Sequence, residues 1–301
     1  MINITLEKNS DLYEMPITKC LDFLNTIDDN QDIITDEKIK FHLYWHVGRN
    51  FERKQLLPIK SFLATQNLEK TELILWSNID LSNNNFLKPY IPYITIKIYD
   101  PIKESIGTPL EGRNDILLTT DSICYSNGDL FRVLILHNYG GIYVDMDMVL
   151  LRNFSPLLNQ EFMYMWGFLP DKNHGINGAI MRIFKKSKLS YDLLNEIKNG
   201  PIIPASYNWD NVLYSKVRVY NKDWFVFPSG MFNPEWQDDP NQNWGGNTFN
   251  AFIDCEYKMY EGAFSWHWHN RWDNEIHPNS KWAKIENIMD NKLKKMNIPN
   301  E

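Results

Sequence analysis

Two aspartates stand two apart in the run Gly140-Gly141-Ile142-Tyr143-Val144-Asp145-Met146-Asp147. In an extended chain, residues two apart point the same way. Asp145 and Asp147 are therefore expected to project together from the end of a strand, with Met146 facing the other side. Two neighbouring carboxylates repel unless a cation lies between them. Oxygen ligands suit Mg²⁺ or Mn²⁺, and such an ion also holds a substrate diphosphate. Upstream, Asp129 and Arg132 are three apart and are expected to share one helical face. The planar fork of Arg132 suits a carboxylate or phosphate, and Asp129 suits ribose or sugar hydroxyls as an acceptor. The competing reading is a solvated ion pair of little energetic weight. The apolar character of the rest of that helix argues against it.

These residues need elements to position them. The alternating, β-branched and aromatic segment Lys38–Val47 predicts a strand, as do residues 71–77 and 94–100. Between the first two, Leu56, Leu57, Ile59, Phe62 and Leu63 fall at helical spacing. A helix is expected over 121–138, stopped by Asn138-Tyr139-Gly140-Gly141, with a strand over 142–151 carrying the acidic pair. Strands alternating with helices predict an α/β domain with a largely parallel sheet. Ligands usually bind outside the carboxyl ends of the strands in such a sheet. Further strands are expected at 162–166, 179–183 and 224–227, and helices at 189–198 and 209–216. The second half is otherwise rich in Pro, Asn, Gly and Trp and reads as loop-heavy. Residues 1–37 read as a polar helical extension with a thin apolar stripe.

Composition narrows the function classes. The 301 residues are 43% hydrophobic, enough for a full core. A net charge of −7 argues against a general nucleic-acid binder, which needs a cationic surface. Cys20, Cys124 and Cys255 are odd in number and far apart. They show neither disulfide framework nor metal spacing, so a reducing, cytoplasmic setting is expected. No apolar run of bilayer length and no signal peptide is visible. Sequons at Asn3 and Asn153 carry little weight, because Asn153 lies so close to the acidic pair. Eight of the eleven tryptophans lie after position 200. Most are expected to pack in the core, and a minority to offer flat platforms for a sugar or base.

The stretch from Asp129 to Asp147 resembles the DXD sugar-binding region of the glycosyltransferase 32 family. That family includes yeast-type initiating mannosyltransferases. Related catalytic domains occur in clostridial glucosylating toxins and lactosylceramide galactosyltransferases. The family pattern is an Asp and an Arg three apart on a helix, then Gly-Gly-Ile-Tyr-x-Asp-x-Asp, and this chain matches every position. Looser resemblance runs over residues 38 to 275. It implies that Trp45, ending the first strand, stacks on the nucleotide base. It places Tyr143, with Asp129, Arg132 and Asp145, among the donor-binding residues. Asn177, in Asn177-Gly178-Ala179, would line the donor sugar. The segment Ser265–Trp272 resembles a terminal His-x-Trp-Asn element in which His269 replaces the Trp. In the family a residue here completes the metal shell or covers the diphosphate. Imidazole is a common metal ligand, which makes His267 the first choice and His269 the second; the alternative is two ordinary loop histidines.

The resemblance further implies a GT-A fold: a Rossmann-like, mostly parallel central sheet flanked by helices, with a loop-rich acceptor-side second half. The expected organisation is a helical extension over 1–37, a catalytic domain over 38–285 and a tail over 286–301. The domain divides into a nucleotide-binding half, 38–151, and an acceptor-side half, 152–285. It implies transfer of a hexose from a nucleotide sugar, a UDP-sugar being favoured, with Mn²⁺ or Mg²⁺ and with retention. The acceptor would be a hydroxyl on a glycan, lipid or protein. Two other classes compete. A metal-dependent phosphoesterase would also cluster carboxylates, but no second carboxylate–histidine cluster is evident before the C-terminal histidines. A non-catalytic carbohydrate-binding protein would use the tryptophans alone.

Overall fold

The computed structural model describes residues 17–29, 31, 35–46, 48, 50–119, 125–165, 175–200, 209–235, 251–254 and 260–299. Expectations resting on residues 1–16 (with Asn3), residues 121–124 (with Cys124), Trp166, Pro201 and Cys255 lie outside them. Helix α1 (Ile17–Asn25) precedes β1 (Ile39–Trp45), α2 (Arg53–Thr65), β2 (Thr71–Ser77) and β3 (Ile94–Ile98). Two short helices, α3 (Pro101–Ser105) and α4 (Asn114–Leu117), lead to α5 (Tyr125–Tyr139). Next come β4 (Gly141–Val144), β5 (Met148–Leu150), β6 (Phe162–Met165) and β7 (Ile176–Ile183). Helices α6 (Lys188–Asn199) and α7 (Trp209–Tyr220) precede β8 (Phe225–Phe227) and the single turn α8 (Ser229–Phe232). The described chain ends with β9 (Ser265–His267) and α9 (Lys281–Lys295).

Seven strands form one sheet in the order β3-β2-β1-β4-β7-β6-β8. The pairs β3–β2, β2–β1, β1–β4 and β6–β8 are parallel, and β7 runs antiparallel to both neighbours. The expected α/β architecture with a mostly parallel sheet is thus present. Alternation along the strands sorts two cores. Phe41, Leu43, Leu73, Leu75, Ile142 and Val144 pack on one face, against Leu56, Ile59, Phe62 and Leu63 of α2. Tyr44, Ile74, Trp76 and Tyr143 pack on the other, against α5. Helix α5 is buried on nearly every side from Leu130 to Leu136, as expected of a helix without a polar stripe.

The break between α5 and β4 depends on glycine. Gly140 and Gly141 have φ of 64° and 115°, a region that L side chains avoid. A Cβ on Gly141 would lie 2.2 Å from the Lys40 carbonyl. Gly141 thus lets β4 emerge directly from the helix and seat itself beside β1.

One departure from expectation bears on the site. The strand expected over 142–151 is two strands: β4 stops at Val144, the chain turns with Met148 N–H donating to Asp145 C=O at 3.0 Å, and β5 resumes. Beyond Asp145, whose N–H bonds Ala179 C=O at 2.7 Å, the chain leaves the sheet. It pairs instead with β9 as a two-stranded antiparallel ribbon, Met148 opposite His267. The acidic pair therefore comes together across a turn, not by strand alternation. Helix α9 runs unbroken through residue 285, and its Trp282, Ile285, Met289 and Leu293 are buried. Glu286 of that helix meets Arg53 and Lys60 of α2 at 2.5 and 3.0 Å.

Candidate active site

The site lies where the parallel strands β1, β2 and β4 end. Asp147 is 2% exposed. Its Oδ2 accepts from Asn270 N–H at 2.7 Å and from His267 Nε2 at 3.0 Å. His267 is delivered by β9, and the ribbon continues with Trp268 N–H donating to Asp147 C=O at 3.1 Å. One ligand atom from each of Asp145, Asp147 and His267 lies within 4.8 Å of the others. Two carboxylate oxygens and an imidazole nitrogen form a donor set suited to Mn²⁺ or Mg²⁺. The buried Nδ1 of His267 makes no hydrogen bond among the described residues. Of the two histidines, His267 thus joins the carboxylates. His269 stacks on it at 3.8 Å, and its Nε2 lies 3.2 Å from Asn233 Nδ2.

Asp145 is held from the other side. Its Oδ1 accepts from the Tyr143 hydroxyl at 2.5 Å and lies 3.7 Å from Arg132 Nη2. Arg132 also pairs with Asp129 at 2.5 Å and stands over the Tyr143 ring at 5.1 Å. Asp129, Arg132, Tyr143 and Asp145 thus form one connected group. The two aspartates differ in electrostatics. Burial raises the Asp145 carboxyl, reinforced by the charge of Asp147 and only partly offset by Arg132. Burial also acts to raise Asp147, but His267 and the Asn270 amide outweigh it and leave that carboxyl below its usual range.

Asn177 and Gly178 come to the group from β7. Asn177 is 2% exposed; its Oδ1 accepts from Ala179 N–H at 2.7 Å. Its Nδ2, like Nε of Arg132, has no hydrogen bond among the described residues. A Cβ on Gly178 would lie 2.7 Å from Arg132 Nη1 and 2.6 Å from the Tyr214 hydroxyl. Tyr214, on α7, is fully buried and sits in a stretch without a motif, so sequence reasoning missed it.

Trp45 is placed apart from Tyr143. It ends β1 on the α2 side of the sheet and is 7% exposed. Phe51 and Trp272 meet it edge to face at 6.3 and 4.9 Å. Trp272 was also missed, its role hidden among neighbouring tryptophans. Asn270 falls in the terminal element that the resemblance marked, but its action on Asp147 runs through its backbone N–H, which no side-chain pattern announces.

Residues 58–163 match the family described as "glycosyltransferase sugar-binding region containing DXD motif". That segment carries the sugar-binding region of the DXD-containing glycosyltransferases, and this chain is a glycosyltransferase. The matched segment carries Asp129, Arg132, Asp145 and Asp147, and the enzyme's third candidate metal ligand, His267, lies beyond it. No curated protein matches the chain. Among solved structures, the enzyme resembles the apo form of the glycosyltransferase GlyE of Streptococcus pneumoniae at 12% identity and a TM-score of 0.50. That likeness covers 87% of this chain and 64% of GlyE. Mouse xyloside xylosyltransferase 1 is similar at 11% identity and a TM-score of 0.48, over 78% of this chain and 98% of that one. The PaToxG glycosyltransferase is similar at 13% identity and a TM-score of 0.44, over 67% and 75%. The fold of this enzyme is that of the GT-A glycosyltransferases. No described helix is long and apolar enough to cross a membrane.

Proposed function

We propose that this glycosyltransferase moves a hexose from a UDP-sugar to an acceptor hydroxyl on a glycan, lipid or protein, with retention and with Mn²⁺ or Mg²⁺. The observation that carries this reading is the convergence of Asp145, Asp147 and His267 beside the Asp129–Arg132 pair. Asp145, Asp147 and His267 hold the metal. When bound, a divalent cation supplies Lewis-acid neutralisation of a diphosphate leaving group.

The remaining roles belong to the chain. Arg132 orients the donor sugar through donors that its two aspartates do not use up, and Asp129 accepts from sugar hydroxyls. The Nδ2 of Asn177, unbonded among the described residues, supplies a further donor to the sugar, because a buried N–H is costly until a partner satisfies it. Tyr143 holds Asp145 and stiffens Arg132 from below. Trp45 receives the base, with one ring edge already against Trp272. The UDP and retaining assignments rest on the resemblance of the Asp129–Asp147 run to glucosylating and galactosyl enzymes.

The test is a thermal-shift titration of UDP, UDP-hexoses and GDP-mannose with and without Mn²⁺, followed by product analysis. A ligand that binds only the native state raises its melting temperature. A UDP-hexose is expected to do so only with metal, and turnover is expected to release UDP. Release of inorganic phosphate instead would assign a phosphoesterase. In Asp147→Asn the metal-dependent shift is expected to vanish and turnover to fall about a hundredfold or more.

A further inference from the structure

The backbone at His269 and Asn270 is unusual. Both residues have positive φ, 54° and 55°, a conformation costing L residues about 1–2 kcal/mol each, and one that Asn tolerates best. Two consecutive non-glycine residues of this kind at the end of the β5–β9 ribbon call for a reason, since such strain persists where surrounding structure requires it. The reason is visible in what Asn270 touches. The turn aims its backbone N–H at Asp147 Oδ2, 2.7 Å away. Its own side chain points elsewhere: Oδ1 accepts from Trp272 Nε1 at 2.8 Å. Trp272 in turn meets Trp45 edge to face at 4.9 Å and Trp268 at 4.4 Å. One residue therefore grips the metal-site carboxylate with its main chain and the tryptophan beside Trp45 with its side chain.

We infer that Asn270 is a positioning residue that couples the metal centre to the nucleotide-base platform, with Trp272 as the platform's second wall. This rests on the reading of Asp147 as a metal ligand and Trp45 as the base-stacking residue. Seating a cation on Asp147 fixes the turn, the turn fixes Trp272, and Trp272 sets the slot beside Trp45. Metal and nucleotide then strengthen each other's binding, reciprocally, as linkage requires.

The two grips separate by mutation. Asn270→Gly keeps the positive φ and the N–H but loses Oδ1. Asn270→Val disfavours the positive φ and so withdraws the N–H. Asn270→Asp keeps an acceptor for Trp272 and still tolerates the turn. Calorimetric titration of each variant with Mn²⁺ alone, UDP alone, and UDP at saturating Mn²⁺ reads both affinities without turnover. Asn270→Gly is expected to keep wild-type Mn²⁺ affinity while the gain in UDP affinity conferred by Mn²⁺ shrinks about three- to tenfold, the scale of one net hydrogen bond. Asn270→Val is expected to weaken Mn²⁺ binding about tenfold, and Asn270→Asp to restore the coupling that Asn270→Gly loses. Wild-type coupling in folded Asn270→Gly, while Trp45→Ala weakens UDP binding, would overturn the inference alone. Unchanged UDP affinity in Trp45→Ala would instead overturn the base-platform reading on which it rests.

Discussion

Arg132 shows how burial sets one ion pair apart from those on a solvated surface. On an exposed helix, an Asp and Arg three apart contribute little. Here the guanidinium is 7% exposed, lies between Asp129 and Asp145, and rests on the Tyr143 ring. Burial works against its charge, and the two carboxylates hold it protonated. A planar fork can serve both carboxylates and a sugar at once, whereas an ammonium cannot. Arg132→Lys is therefore expected to lower kcat/KM for the donor about tenfold or more, with Mn²⁺ affinity little changed; steady-state kinetics beside metal titration checks it. Gly178→Ala tests the same group sterically. Its methyl would meet Arg132 Nη1 and the Tyr214 hydroxyl at 2.7 and 2.6 Å. The expected result is a loss of about 1–3 kcal/mol in chemical denaturation, with donor binding impaired beyond what the lost stability explains. Asp129 and Arg132 on α5 were legible because a spacing of three encodes a shared helical face. Tyr214 and Trp272 were not, because their partners lie on other elements and no local pattern announces a long-range contact.

At the scale of elements, His42 ties three of them together. It is fully buried on β1. Its Nδ1 accepts from Trp76 Nε1 of β2 at 3.1 Å, and its Nε2 donates to Gly140 C=O beyond α5 at 2.9 Å. Both nitrogens are occupied in the neutral form. Burial, followed in weight by the opposing Gly140 bond and then by the charges of Lys40, Lys97 and Arg182, pushes its pKa from 6.5 down to about 3. A folded-state value below the unfolded one means that the unfolded chain binds the proton more readily. Stability from this group is complete above pH 6.5 and is lost as pH falls toward about 3, at up to about 1.4 kcal/mol per unit. Melting curves of wild type and His42→Gln between pH 7 and pH 4 are expected to show the steeper acid loss in wild type. The elements themselves were largely readable. Strands β1 to β3 and helices α2, α5 and α6 follow from period and from turn residues. The break within 142–151 was not, because whether Asp145 continues a strand depends on β7 and β9, remote segments that compete for its neighbours. Strand β9 was missed for the same reason: it exists by pairing with β5, more than a hundred positions away.

At the scale of the molecule, the C-terminal helix closes the fold against α2. Glu286 is 4% exposed and sits between Lys60 and Arg53, and Lys60 also reaches Asp290 at 2.9 Å. Removing one member of a buried charge group strands the others. Glu286→Ala is expected to cost about 3 kcal/mol in urea denaturation and to leave Asp129 and Arg132 of α5 in place. Only the packed structure reveals that Glu286 and Lys60 face inward. The two-stranded ribbon has a consequence in time as well as in space. Asp147 and His267 are separated by 120 positions, so their meeting closes a long loop, and closure of this kind follows local structure formation. The α/β scaffold is expected to gain its secondary structure first and its ability to bind Mn²⁺ last, with metal-dependent UDP binding recovering more slowly than far-ultraviolet circular dichroism during refolding. A nascent chain in which β9 has not yet emerged would carry the acidic pair without the histidine that meets it.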